Sequence, residues 1–165
     1  MAGNDAGDND KEEHTMRTEP ANNVSPTEAG WTPAERREAL ARLYRHLEAL
    51  LDDMPYRRVE VATYLPLVVE RLPDSEVSMA HYGVRNDDPM RDPELVFEVR
   101  EEGGIMLAEP FYFRNDYLGV ELYTRLRLRR PPADGLVYRP DQHEGLCRFA
   151  GQWCANLRQQ GFFDV

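Results

Sequence analysis

Hydrophobic periodicity changes twice along this chain, and that double change most limits the folds open to it. Between Thr32 and Met54 the apolar residues Leu40, Leu43, Leu47, Leu50, Leu51 and Met54 recur at helical spacing, with Arg36, Arg37, Arg45, Glu48 and Asp52 elsewhere around the wheel. Thr32-Pro33-Ala34-Glu35 supplies a capping box with proline in the first turn, and Pro55 blocks continuation. From Val59 to Leu128 the period drops to two. Val59 to Arg71 is β-rich but carries Pro66, which predicts an edge strand or two short pieces. Glu76 to Arg85, Glu94 to Arg100, Ile105 to Phe113 and Leu118 to Leu128 read as further strands, separated by polar or Gly-Gly turns. In the last of these, Leu118, Val120, Leu122, Leu126 and Leu128 are expected on one buried face. A Pro131-Pro132 linker then leads to a second amphipathic helix. Its expected capping box is Asp141 with Glu144, its stripe Leu146, Phe149, Ala150, Trp153 and Leu157, and its stop Gly161. Short connections between successive strands favour an antiparallel meander. The expected fold is α+β: a meander of four to five strands packed against an N-terminal and a C-terminal helix.

Charge separates the first thirty residues from the rest. The chain has 165 residues with 30 Asp+Glu against 20 Lys+Arg, a formal net charge of -10. Residues 1–30 hold seven of the acids and two of the bases, with almost nothing apolar. Such a segment buries too little to offset its ordering entropy, so a disordered acidic tail is expected over 1–30 and a single α+β domain over 31–165. No apolar run is long enough to span a bilayer and no secretion signal is visible. Cys147 and Cys154 lie two turns apart on the second helix, about 10.5 Å along its axis, too far to bridge each other. Free thiols fit a reducing cytoplasm. The single lysine, Lys11, lies in the tail, so no lysine-dependent motif can be completed in the domain.

Candidate chemistry is sparse. Asp87, Asp88, Asp92, Glu94 and Glu98 cluster in sequence and could hold a hard cation. Asp92 with Glu98 resembles a nuclease strand, but Arg100 stands where lysine would be, and arginine is not equivalent. The pattern therefore reads as solvated, turn-capping acids. No His-Glu-x-x-His, Cys-x-x-Cys, nucleophile elbow or phosphate-cradling loop occurs. Arg125, Arg127 and Arg129 form an arginine stripe with Tyr117 and Tyr123 nearby, which could follow phosphates, although a net charge of -10 opposes nucleic acid at long range. The Arg114-Asn115-Asp116-Tyr117 connection gathers a forked donor, an amide, a carboxylate and an aromatic in four residues. The turn-forming preferences of Asn and Asp explain it as a hairpin. As a binding surface it would extend through Tyr123, Arg125 and Arg127.

Pro66-Leu-Val-Val-Glu-Arg-Leu72, Met90-Arg-Asp-Pro-Glu-Leu-Val-Phe-Glu-Val99, Tyr112-Phe-Arg-Asn-Asp-Tyr-Leu-Gly119 and the closing helix with Trp153 resemble a family of small uncharacterised bacterial proteins. Members are often carried on plasmids, phages and integrative elements. The similarity runs over roughly residues 60 to 163. It implies a fold and a mobile-element setting, but no activity and no catalytic residues.

The reading that follows is a non-enzymatic protein-binding module without cofactor, acting on a protein partner as a mobile-element accessory or an inhibitor of host defence. The alternatives are a divalent-metal hydrolase on the acid cluster and a nucleic-acid binder on the arginine stripe.

Overall fold

The computed structural model describes residues 30–130, 133–138 and 140–164, with side chains described over 30–125 and 140–164. The expected tail therefore lies, apart from Gly30, outside the described residues. The first helix, α1 (Pro33–Leu51), opens on the capping box read from sequence: Glu35 N donates to Thr32 Oγ1, and Glu35 Oε2 accepts from Thr32 N at 2.8 Å. It stops earlier than Pro55 requires. Asp52 takes a left-handed conformation and its N–H returns to Glu48 O, closing the last turn. Met54 consequently leaves the apolar stripe and is exposed.

The strands are β1 (Tyr56–Val59), β2 (Leu67–Leu72), β3 (Glu76–Arg85), β4 (Asp88–Glu102), β5 (Ile105–Asn115) and β6 (Val120–Tyr123). They form one antiparallel sheet in sequence order. Six strands replace the expected four to five. Pro66 ends up between β1 and β2, which settles that segment as two pieces. Two tight turns set the register. Asn86 and Asp87 both have positive φ between the paired Arg85 and Asp88, and Gly103 and Gly104 do the same between Glu102 and Ile105.

The expected last strand is broken at Thr124. Beyond it β7 (Arg125–Arg130) leaves the sheet and pairs with β8 (Ala133–Tyr138), which forms where a plain linker is expected. Because β6 is the last strand of the six, it has no neighbouring strand on one side among the described residues. Leu118 and Val120, expected to be buried, are exposed there.

The second helix, α2 (Pro140–Gln159), buries Leu146, Cys147, Ala150, Trp153, Cys154 and Leu157, whereas Phe149 stays partly exposed and packs edge-on against Phe113. Both cysteines are free and buried. Glu144 does not complete a box with Asp141; it accepts from Trp31 N at 3.1 Å and pairs with Arg148, tying the start of α1 to α2. Gly161 takes φ 89 and ends the segment, and Phe162 returns to the core. That core joins the leucines of α1, Leu67 and Val69 of β2, Val77 and Met79 of β3, Leu95 and Phe97 of β4, Leu107 of β5, and the stripe of α2. No helix among the described residues is long and apolar enough to cross a membrane.

Candidate functional site

The polar residues picked out by sequence fall into three places, and most are held by partners inside the fold. The acid cluster does not converge. Asp87 and Asp88 are exposed at the β3–β4 turn. Asp92 accepts from Asn115 Nδ2 at 2.7 Å, and Glu94 accepts from Ser78 Oγ at 3.0 Å while pairing with Arg91 at 2.9 Å. Glu98 is ion-paired with Arg125. Strung along β4, these carboxylates do not face a common point, and no cluster of potential metal ligands occurs among the described residues.

The Arg114–Tyr117 connection divides into a locked half and an exposed half. Asp116 is clamped: its N–H donates to Arg91 O, its Oδ2 accepts from Arg91 N, both at 2.9 Å, and its Oδ1 accepts from Arg114 Nε at 2.6 Å. The backbone N–H of Arg91 and the Arg114 guanidinium hold its carboxyl below the usual range. Asn115 is buried, donates to Asp92 and accepts from Leu118 N at 3.0 Å. These two residues build the turn. Tyr117 and Leu118 project from it, with Tyr117 OH reaching Val84 O at 3.5 Å and its ring lying where a side chain at Gly83 would collide. Leu118 is 73% exposed and Val84 70%, and Val120 and Tyr123 are exposed on opposite faces of β6. Tyr123 also stacks on Tyr112, ring centres 4.6 Å apart.

Arg125 belongs to neither place. It stacks over Phe111 and pairs with Glu98, with Glu109 at 3.9 Å. Tyr123 and Arg125 stand on different sheets, so the expected continuous stripe is interrupted at Thr124. Arg127 lies in β7, but its side chain is outside the described residues.

Sequence reading missed the site around Glu109. This buried carboxylate on β5 stands directly opposite Glu98 on β4 and is surrounded by Arg36 from α1, Arg100 from β4, Arg125 from β7 and His143 from α2. Burial alone would raise its pKa. The hydrogen bond from His143, the charge of Arg100 and the bond from Arg36 outweigh burial and hold it at about 2. His143 Nε2 lies 2.9 Å from Glu109 and 3.5 Å from Cys147 Sγ, while Nδ1 lies 3.2 Å from Thr124 Oγ1. A Cys, a His and a Glu thus meet, but not as a nucleophilic triad. In such a triad the thiol and the carboxylate use opposite ring nitrogens; here both use Nε2. Burial and the Glu109 charge push the Cys147 thiol up to about 12, which keeps it protonated and inert. The available sequence signal was the four-residue spacing of His143 and Cys147 on one helix. Nothing in sequence pointed to Glu109, which sits a long way from both helices along the chain. His81 is buried beside Trp153 and Phe162 with Nδ1 at 3.2 Å from Pro66 O, and burial lowers its pKa.

A family model for a domain of unknown function, DUF6908, matches residues 38–163. The chain belongs to the DUF6908 family. The match starts inside α1, earlier than the sequence resemblance, and takes in the whole sheet and α2. Glu98, Arg100, Glu109, Tyr117, Leu118, Arg125 and His143 fall within the DUF6908 region, whereas Trp31, Arg36 and Arg37 precede it. No curated protein and no solved structure matches the chain.

Proposed function

We propose that this chain is a non-enzymatic protein-binding module whose contact surface is the open end of the sheet. One observation carries the reading: Val84, Tyr117, Leu118 and Val120 expose apolar and aromatic surface around turns that hydrogen bonds hold in place, with Tyr123 exposed on the other face of β6. Exposed apolar groups grouped on an ordered frame characterise contact surfaces, and aromatic side chains are their frequent anchors. Asp87, Asp88 and Glu121 stand exposed at the same end, and the chain carries a net charge of -10, so the fitting partner is a protein with an apolar spot inside a basic rim. Asn115 and Asp116 serve this surface by shaping it, not by touching the partner.

The resemblance to proteins of plasmids, phages and integrative elements extends the proposal to its setting. In that setting the module works in a reducing bacterial cytoplasm as an accessory factor or as an inhibitor of a host defence protein. Neither alternative gains a supporting observation. Of the acids expected to hold a metal, Asp92, Glu94 and Glu98 are partnered within the fold and Asp87 and Asp88 are exposed at a turn, while Arg125 is paired with Glu98 and Glu109.

Capture of partners from the native host by the wild-type chain and by Leu118→Asp tests the reading. A partner retained by the wild type and lost by the variant, with unchanged melting of the variant, supports it. Equal retention by both chains refutes the placement of the surface.

A further inference from the structure

A second site lies at the opposite end of the sheet, where the β4–β5 turn meets the start of α1. A cavity of about 320 Å³ there is lined by Trp31, Arg36, Arg37, Leu40, Arg100 and Leu107, and also by Pro33 and the acid Glu102, which Arg100 approaches. That volume is at the small end of the range for ligand pockets, roughly 300–1,000 Å³. Three guanidinium groups face one small space in a chain whose overall charge is strongly negative.

Two of the three are already committed. Arg36 and Arg100 both pair with Glu109, and Arg100 also approaches Glu102 at 3.5 Å. Arg37 differs. Its Nη2 donates to the carbonyl oxygen of Glu102 at 2.7 Å, a neutral acceptor, and it has no carboxylate partner among the described residues. Its Nε is shielded from solvent and has no hydrogen-bond partner there. The Arg37 fork is therefore only partly used, and its charge is not neutralised by an acid among the described residues. Two further features favour an anion. Arg36 closes the first turn of α1 and Arg37 follows it, so both lie near the helix end where the dipole adds partial positive charge. Gly103 lets Arg37 lie close over the turn: its φ is +58, and an added Cβ would come 3.0 Å from Arg37 Nη2.

The rest of the lining is apolar and partly flat. One face of Trp31 carries the Arg148 guanidinium at 4.7 Å, and Trp31, Leu40 and Leu107 provide the walls. We propose that this cavity binds a small organic anion, with its carboxylate or phosphate head on Arg37 and its flat apolar body against Trp31 and Leu107. Guanidinium forks match the paired oxygens of both head groups. This site is separate from the protein-contact surface, and either can fail without the other.

Trp31 provides the readout, since Trp153, the second tryptophan, is buried in the core. The full chain at low salt is titrated with phenyl phosphate and, separately, with benzoate, following tryptophan fluorescence. A saturable change with at least one probe is expected, weakening as salt rises. Arg37→Gln should weaken that probe by tenfold or more with no loss of folded structure by circular dichroism, because Arg37 takes no part in the ion pairs around Glu109. Arg37→Lys, which keeps the charge but loses the fork, should fall between. Absence of a saturable change with both probes at millimolar concentration overturns the proposal. So does an affinity that Arg37→Gln leaves unaltered.

Discussion

The junction around Glu109 and the tip around Leu118 reverse the usual expectation for polar and apolar residues. At the junction, a carboxylate, three arginines and a histidine are drawn together from five elements, yet their charges are spent on one another. At the tip, ordinary apolar side chains stand in solvent although the turn beneath them is fully hydrogen-bonded. At the junction charged residues tie elements together, and at the tip apolar residues are left available for contact. Density of chemistry-bearing side chains is therefore a poor guide to function here. Whether a group already has a partner is the better guide.

The sharpest way to break that comparison is to remove the charge at the junction. Glu109→Gln keeps the shape but leaves partly buried guanidinium groups without their anion, and losing one member of such a network typically costs about 3–5 kcal/mol. Urea unfolding should show it as a lower midpoint; a loss under about 1 kcal/mol would mean the network is ornamental. Acid should act through the same residue. A carboxyl held at about 2 against an ordinary 4.5 stabilises the fold above pH 4.5, and that contribution, about 3 kcal/mol, disappears as pH falls from 4.5 toward 2. The wild type should lose stability over that window more steeply than Glu109→Gln. Parallel curves would assign the acid sensitivity to other carboxyls. A smaller effect is expected where the tip is anchored: Asn115→Ala removes the bonds to Asp92 and to Leu118 N, and should cost about 1–3 kcal/mol. Last, Leu118→Ser should change stability by no more than about 0.5 kcal/mol while weakening partner binding, which would separate the two regions cleanly.

Local signals were legible and long-range ones were not. The capping box at Thr32, the stripes of both helices, the burial of Trp153 and the antiparallel order of the strands all follow from residues close together in sequence. Leu118 and Val120 misled because alternation shows that a strand has two faces, not whether a neighbour covers either of them. With β6 last in the sheet, the apolar face stayed bare. The break at Thr124 hid for a similar reason: its hydroxyl and N–H turn inward to Phe111 and His143, contacts that only the folded chain supplies. Glu109 was invisible because its partners come from positions 36, 100, 125 and 143. Within its own strand it is a single acid among mostly apolar residues, and nothing local names its partners. At the Arg114–Tyr117 connection the roles of the residues split, with Asn115 and Asp116 structural and Tyr117 exposed.

The register that sets Glu98 directly across from Glu109 bears on the order in which the chain assembles. Adjacent strands joined by a Gly-Gly turn are normally an early, local step. Like charges facing each other across a ladder oppose that step until counter-charges arrive. Arg100 on β4 gives Glu109 one counter-charge inside the hairpin, but Arg36 and His143 come from the two helices, 73 and 34 residues away from Glu109, so the hairpin gains its full stability only once both helices have docked. Such a chain should fold as one cooperative unit, at a rate governed by distant contacts rather than by its shortest turn. Truncation at either helix should leave no stable sheet behind.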